Sequence, residues 1–200
     1  RKFWGWGYED ELLTHEEEKN IDARIATTFH LDSVERINIP DIKNIDLPKS
    51  KVKKPQNLKN ILSDDKLELL NHSYGKSFPD SARSILGYFP NPPDLVAFPK
   101  TEKDISIVLD WASSNDLAVV PYGGGSSVCG GVETNVGDDY KGVISLDMKN
   151  LNSIVEVDRE SRTALIQGGI YGPDLEENLK KHDLTMRHYP QSFEFSTLGG

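Results

Sequence analysis

The sequence predicts an α+β fold of two small α/β units, preceded by an irregular N-terminal arm. Two short apolar runs, 95–98 and 117–120, flank a segment with helical periodicity, which indicates a strand–helix–strand unit with a parallel crossover. Further elements follow along the chain, with strand candidates at 143–146, 153–157 and 163–167 and a helix from residue 172. Their order predicts a second small sheet with its own helix.

The composition limits the class of protein. Of the 200 residues, 36% are hydrophobic and 28% are charged, which is typical of a globular chain long enough to bury a core. The formal net charge of −9 argues against a nucleic acid or an anionic membrane surface as the main partner. No apolar run reaches the length of a transmembrane segment. The single cysteine excludes an internal disulfide and fits a reducing compartment.

Residues 1–63 carry an aromatic signature and then an arm without clear periodicity. Four aromatic residues fall between Phe3 and Tyr8, and we expect them to dock on the rest of the protein because such a cluster is unfavourable in water. From residue 9 onward the pattern is poor, and from residue 37 prolines interrupt the apolar residues, so we expect an extended connection with at most short edge strands. The chain starts without methionine and stops in a glycine-rich loop, so we expect it to be part of a longer protein.

Residues 64–91 are predicted to form a short helical segment. One helix is expected to start at 63–65, and a second is expected over 79–86 with Gly87 as its end. A pair of prolines then marks the start of the domain that we expect over 92–200.

The helix between the two apolar runs has clear signals at both ends. It begins with Thr101 and Asp104, which are spaced as in a capping box. Its apolar residues recur at the spacing of one buried helix face, and they are Ile105, Val108, Leu109 and Ala112. Asn115 is expected to end the helix in the left-handed conformation. The unbroken apolar run 117–120 then predicts a strand covered on both faces.

A glycine-rich loop follows that strand. Residues 123–131 contain five glycines and two serines. Glycine lets a ligand approach the main chain, and successive free N–H groups form a concave anion site. Because open α/β sheets bind ligands at the carboxyl ends of their strands, we predict an anion site here, the alternative being a flexible surface loop. A second polar loop, 191–200, suggests an extended ligand that is contacted at both ends.

Standard nucleotide-binding and catalytic motifs are not matched. A dinucleotide-binding fingerprint would need its third glycine where Val128 stands, and a P-loop would need a glycine in place of Leu70. Neither Ser126 nor Ser127 lies in a G-x-S-x-G nucleophile elbow. What remains is an anion site lined by main-chain amides.

The histidines and the cysteine give no metal-site pattern. The five histidines show no metal-ligand spacing, so we expect solvent-exposed or structural roles for them, and they are His15, His30, His72, His182 and His188. The last two are expected to flank a strand. Cys129 is interpreted as a small buried residue, the alternative being a reactive thiol. We therefore assign no metal ligand.

Several segments resemble the vanillyl-alcohol oxidase family of flavoproteins, whose FAD-binding domain is called PCMH-type. The similar segments are Pro93–Pro99, Val120–Val128 and Ile144–Asp147. Two more resemble the branch of alkyldihydroxyacetone-phosphate synthases (alkylglycerone-phosphate synthases) and their bacterial FAD-linked oxidase homologues. These are the N-terminal signature Trp4–Gly7 and the loop Gln191–Gly200.

The resemblance implies a PCMH-type domain that binds FAD in both loops. The first loop would surround the pyrophosphate, through Pro121, Tyr122, Gly123, Gly124, Gly125, Ser126 and Ser127. The second would contact the flavin side, through Gln191, Ser192, Phe193, Glu194, Phe195, Ser196 and Thr197. Some relatives attach FAD through a histidine in the first loop. Gly125 occupies that position here, so we expect non-covalent FAD.

The resemblance also implies a flavoenzyme whose catalytic residues lie beyond Gly200, so we assign none. One alternative is a transferase of ether-lipid synthesis, which exchanges the acyl group of acyl-dihydroxyacetone phosphate for a fatty alcohol. Another is an oxidoreductase that acts on a hydroxy acid or an alcohol, and a third is a nucleotide-binding module without its own chemistry. The partner would be a small-molecule or lipid-like substrate, and a homodimer is a possible assembly. Such a protein would be cytoplasmic in bacteria, and a eukaryotic synthase would be peroxisomal.

Overall fold

The computed structural model describes all residues from Arg1 to Gly200 and confirms the α+β fold. Its helices are α1 (His15–Phe29), α2 (Lys66–Asn71), α3 (Phe78–Ile85), α4 (Glu102–Ser114) and α5 (Gly172–Lys180), with short 3₁₀ turns at Ile42–Asn44 and Gln56–Leu58. Its strands are β1 (Leu62–Ser63), β2 (Leu95–Ala97), β3 (Leu117–Tyr122), β4 (Gly142–Asp147), β5 (Ile154–Asp158) and β6 (Thr163–Ile166). None of these helices combines the length and the apolar character needed to cross a bilayer.

The larger sheet has the strand order β1-β2-β4-β3. Strands β2, β4 and β3 are parallel, and β1 is antiparallel to β2. The core between this sheet and α4 contains Leu95, Val108, Ala112 and Ile144. Because the three parallel strands end side by side, the loops that follow them leave from one edge of the sheet. We call it the carboxyl edge.

The position of β3 differs from the prediction. β2 and β3 are parallel, as expected, but β4 lies between them. β3 is thus an edge strand, and its residues Val119 and Val120 are only half-buried. The prediction of a strand covered on both faces is therefore wrong for this run. The strand that is covered on both faces is β4, whose six residues are all buried.

Helix α4 begins as predicted. The Asp104 N–H donates to Thr101 Oγ1 at 3.1 Å, and the Thr101 N–H donates to Asp104 Oδ2 at 3.0 Å, which completes a capping box. Val108 and Ala112 are buried on the sheet. Leu109 is 44% exposed, so its assignment to the buried face is wrong. It lies one position past Val108 and points about 100° away around the helix.

The end of α4 also differs from the prediction. Asn115 has φ −118°, outside the left-handed region, and its side-chain amide donates to the Trp111 carbonyl at 2.8 Å. The left-handed residue is Asp116, with φ 55°. Aspartate is among the few residues that tolerate this conformation, and the chain turns here into β3. Its carboxylate pairs with Lys141 Nζ at 2.7 Å.

Helices α2 and α3 form where the sequence predicts them. Asp65 caps α2 by accepting hydrogen bonds from the first-turn N–H groups of Leu67 and Glu68. Ser77 and Asp80 form a capping box at the start of α3. Gly87 follows α3 with φ +67°, which a residue with a side chain rarely adopts.

The second unit is a hairpin covered by α5. β5 and β6 are antiparallel and are joined by the tight turn 158–161, as predicted. Leu175 and Leu179 of α5 form a small core with Ile170, against the hairpin. Residues 182–188 contain no strand, so the prediction that two histidines flank one is wrong.

The arm contains a helix that the sequence pattern did not predict. Thr14 and Glu17 form a capping box at the start of α1. Arg36 pairs with Glu18 at 2.9 Å and with Asp22 at 2.7 Å, which ties the following segment back to the helix. No residue of α1 is buried. The prediction of an extended arm is therefore wrong for residues 15–29.

The arm is nevertheless anchored on the rest of the protein, and Ile45 and Leu58 are buried in its cores. Phe3 is buried in a cluster with Leu70 and Phe89, so the aromatic signature docks as predicted. A further anchor is the buried carboxylate of Asp94. It accepts hydrogen bonds from Val143 N at 2.8 Å, from the Ser50 hydroxyl at 3.1 Å and from the main-chain N–H of residue 51. This carboxylate therefore joins the arm to β4.

Candidate functional site

The two glycine-rich loops are in direct contact at the carboxyl edge. The hydroxyls of Ser126 and Ser196 lie 3.1 Å apart. A Cβ added to Gly124 would overlap the carbonyl oxygen of Phe195, and one added to Gly123 would overlap the side chain of Thr197. The glycines are thus required where the loops touch. The sequence predicted that a ligand occupies the space left free by the absent side chains. In the structure, the second loop occupies that space instead.

The first loop offers a run of free main-chain donors. No N–H group from 123 to 130 donates a hydrogen bond to another group of the chain. Gly124 and Gly125 are buried, and Gly125 turns the chain at φ +69°. Buried amides without a partner are rare in folded proteins. Successive unpaired amides of this kind are the donors that bind anions.

The second loop places one further unpaired polar atom at the contact. Thr197 is 6% exposed, and its hydroxyl has no hydrogen-bond partner. It lies between Gly123 and Gly200. The loop is fixed beside it by the bridge between Thr197 and Tyr171 and by the bond from Leu198 N to Ile170 O at 2.9 Å. A ligand bound beside this contact could accept hydrogen bonds from both the hydroxyl and the amides.

The other predicted residues of the first loop have structural contacts. Pro121 is exposed at the end of β3. Tyr122 is buried and donates its hydroxyl to the Asn71 carbonyl at 3.0 Å, and burial raises the pKa of this phenol. It therefore supports the loop from beneath. Ser127 accepts from Gly131 N through its hydroxyl at 3.1 Å and from Lys76 N through its carbonyl at 2.7 Å.

The other predicted residues of the second loop divide into inward and outward positions. Gln191 and Glu194 are exposed. The Ser192 hydroxyl lies 2.6 Å from that of Ser196, inside the loop. Phe193 packs against Tyr189, with ring centroids 5.0 Å apart. These positions bring Ser196 and Thr197 to the first loop and turn Gln191 and Glu194 away from it.

A cavity of about 410 Å³ opens beside the two loops. Gly124 and Ser126 line it from the first loop, and Phe195 lines it from the second. Its opposite wall is formed by residues of the N-terminal segment, 1–9. Its floor includes Asp147, at the end of β4. The cavity therefore lies at the carboxyl edge, where parallel α/β sheets bind ligands.

Sequence reasoning missed a buried hydrogen-bonded pair in the cavity wall. His72 Nε2 lies 3.1 Å from Asp147 Oδ2, and its Nδ1 lies 2.7 Å from the Glu68 carbonyl oxygen. The pair spans 75 positions of sequence, so no local spacing could have revealed it.

The structure also corrects the interpretation of Cys129. The side chain is exposed rather than buried. A hydrogen bond from the Ser127 hydroxyl, and then one from the Gly131 N–H, lowers the pKa of this thiol. The prediction was wrong because residues 128–131 turn outward, away from the contact between the loops.

Comparison with known proteins decides the family. Residues 93–200 match the family described as "FAD binding domain". The chain belongs to this family. Its PCMH-type FAD-binding fold is thereby confirmed, and FAD is its cofactor.

Three relatives illustrate the range of the FAD-binding domain family. An alkyldihydroxyacetonephosphate synthase of Dictyostelium discoideum is 37% identical over 177 residues, which cover 86% of this chain and 28% of that protein. Glycolate oxidase subunit GlcD of Bacillus subtilis is 32% identical over 147 residues, covering 70% of this chain and 30% of that protein. A solved alkyldihydroxyacetonephosphate synthase superposes with a TM-score of 0.85 at 30% identity, covering all of this chain and 42% of that one. The chain thus spans well under half of each relative.

The two loops fit FAD. The unpaired amides 123–127 suit the oxygens of its pyrophosphate, and the Thr197 hydroxyl is a further donor beside them. These residues would bind and orient the cofactor. When bound, FAD supplies a ring that can take up and return electrons.

Replacing Thr197 with valine is expected to lower FAD affinity about tenfold, because the loss of one hydrogen bond to a charged ligand costs roughly 1.5 kcal/mol. The apoprotein is expected to become slightly more stable, since an unpaired buried hydroxyl is removed. Fluorescence titration and urea unfolding measure the two effects. Thr134→Val is the matched control, because that buried hydroxyl already donates to the Asn91 carbonyl at 2.7 Å. Unchanged FAD affinity in Thr197→Val would place the cofactor elsewhere.

Acid denaturation of the FAD-bound protein is expected to release all of the flavin into solution. His72 is the histidine in the cavity wall, and both of its ring nitrogens are hydrogen-bonded, so neither is free to bond to a flavin. Absorbance of the supernatant and of the precipitate measures the partition. Flavin that remains with the precipitate would reveal a covalent link.

Proposed function

We propose that the chain is the FAD-binding part of an alkylglycerone-phosphate synthase-like flavoenzyme. Such an enzyme exchanges the acyl group of acyl-dihydroxyacetone phosphate for a fatty alcohol. The observation that carries this proposal is the extent of the similarity. The solved synthase covers the whole chain, including residues 1–92, which lie outside the FAD-binding match.

The role proposed for these residues is to hold the cofactor. The two loops would bind FAD, and the cavity beside them would be closed on one side by the N-terminal segment. Catalytic residues and the site for a lipid-like substrate would lie in the remainder of the full-length protein. No residue of this chain is assigned a catalytic role.

The proposal is tested with full-length protein. Acyl-dihydroxyacetone phosphate and a labelled fatty alcohol are supplied, and formation of the ether product is followed by mass spectrometry. We expect product and released fatty acid in equal amounts, and none from a variant that retains no FAD. Reduction of an electron-accepting dye by hydroxy acids, without ether product, would overturn the synthase assignment.

A second candidate function is FAD-dependent oxidation of a hydroxy acid or an alcohol. It is favoured by the similarity to the glycolate oxidase subunit. The same pair of assays distinguishes the candidates, because this one requires dye reduction and gives no ether. A module without chemistry would give neither product.

We also propose that the full-length protein forms a homodimer. Several apolar side chains of α1 and of the segments around it are exposed, and these are Leu13, Ile21, Phe29 and Ile37. Their burial between two copies would be favourable. Sedimentation equilibrium measures the mass, and a monomer at micromolar concentration would contradict the proposal.

A further inference from the structure

Three cations in the cavity wall have no carboxylate partner, and two of them, Arg1 and Lys76, are bonded to the first loop. Arg1 Nη1 donates to the Gly124 carbonyl at 2.8 Å, and its guanidinium lies over the rings of Tyr171 and Phe195, at 4.6 and 5.0 Å from their centroids. Lys76 Nζ donates to a main-chain carbonyl, that of residue 2, at 3.0 Å. Neither side chain forms an ion pair.

The environment of Lys76 is unfavourable for a cation. Burial, and then the nearby charge of Arg1, lowers the pKa of Lys76 to about 8. A buried charge without a counter-ion is costly. An anion in the cavity would remove this cost, because both cations line it.

The N-terminal segment also connects the two loops. The Trp6 ring lies 5.7 Å from that of Phe195 in the second loop, and its Nε1 donates to the Lys76 carbonyl at 3.1 Å. The Lys76 N–H in turn donates to the Ser127 carbonyl of the first loop at 2.7 Å. Both cations are thereby fixed beside the free amides 123–130.

We propose that Arg1 and Lys76 complete the FAD pyrophosphate site, so that the N-terminal segment is part of the cofactor site. Both residues lie outside the part of the chain that matches the FAD-binding family, 93–200. The proposal rests on the placement of FAD at the two loops. In a protein of net charge −9, these side chains supply the positive charge that a pyrophosphate needs. Two other cations line the cavity: Lys149 lies 3.5 Å from Asp147, and Lys2 Nζ donates to the Glu11 carbonyl at 2.7 Å and lies over the Trp4 ring.

The test measures binding of FAD and of ADP to the full-length apoprotein by calorimetry, in wild type and in Lys76→Met. ADP contains the pyrophosphate without the flavin. We expect both affinities to fall by the same factor, about tenfold or more, because one charge-assisted hydrogen bond is lost. Lys141→Met is the matched control, since it removes one positive charge from an exposed residue that pairs with Asp116. We expect it to leave both affinities unchanged.

Four outcomes would overturn the proposal. Unchanged affinities in Lys76→Met would show that the Lys76 ammonium does not contact the pyrophosphate. An equal fall in Lys141→Met would show that the effect comes only from the net charge of the protein. A fall for FAD alone would place the cation at the flavin end. A wild type that binds neither ligand would overturn the placement of FAD at the loops as well, so the two failures are distinguishable.

A pH series on the wild type tests the proposal without any variant. A bound anion favours protonated Lys76, so FAD affinity is expected to be constant below pH 8 and to fall by up to tenfold per pH unit above it. Arg1 opposes protonation of Lys76, and Asp80 favours it. The other charged or titratable groups around the cavity are Lys2, Glu9, Glu68, His72, Tyr122, Asp147, Lys149 and Tyr171. Lys76→Met is expected to abolish the fall, and a wild-type profile that stays flat to pH 10 would overturn the proposal.

Discussion

Replacing Gly124 with valine is expected to abolish FAD retention. A Cβ at this position would overlap the Phe195 carbonyl oxygen, and it would lie 3.2 Å from the Tyr171 ring. Main-chain atoms cannot move aside as a flexible side chain can, so the two loops must separate. Separation would disperse the free amides 123–127 and the Thr197 hydroxyl, which are the donors proposed for the pyrophosphate.

The measurement is the ratio of flavin to protein absorbance after gel filtration. Gly131→Ala is the matched control from the same loop. Its Cβ would meet only the Ser127 hydroxyl, at 3.4 Å, so near-normal retention is expected. Circular dichroism distinguishes a local change from unfolding. Full flavin content in a folded Gly124→Val protein would refute the contact between the loops as the cofactor site.

Replacing Asp94 with alanine is expected to lower the free energy of unfolding by about 3 kcal/mol. The carboxylate is 7% exposed and accepts from Val143 N, from Ser50 Oγ and from the main chain of residue 51. Its removal leaves the main-chain N–H groups of residues 51 and 143 without an acceptor, and each unpaired buried group costs roughly 1–3 kcal/mol. The Ser50 hydroxyl can still donate to the Val52 carbonyl at 2.9 Å. The arm would also lose one of its anchors on the body.

Urea unfolding measures this effect. Asp94→Asn retains one acceptor oxygen and is expected to lose about half as much. Asp110→Ala is the control, because Asp110 is exposed on α4 and its side chain accepts no hydrogen bond within the chain. If Asp94→Ala and Asp110→Ala have the same small effect, the buried carboxylate does not hold the arm.

The sequence was informative where structure depends on neighbouring residues. The capping box at Thr101 forms from side chains three positions apart. The turn 158–161 and the end of α3 at Gly87 are equally local. The same holds for the position of the first glycine-rich loop, which directly follows an apolar strand.

Local patterns failed where burial depends on the rest of the chain. The apolar run 117–120 is the same whether its strand is central or at an edge, and the structure places β4 in the centre. Helix α1 has no buried residue, so its sequence contains no apolar face from which a helix could be predicted. Cys129 was expected to be buried because of its residue type, yet it lies on a turn that faces solvent.

The sequence alone determined that a glycine-rich loop follows a parallel strand and predicted an anion site there, and its resemblance to a flavoprotein family indicated FAD. Only the tertiary structure decided what surrounds that loop. It brought Phe195 onto Gly124, His72 onto Asp147, and the cations Arg1 and Lys76 onto the cavity. Each of these contacts joins residues about 70 or more positions apart, and such contacts depend on how the strands and loops pack in three dimensions rather than on any spacing along the chain.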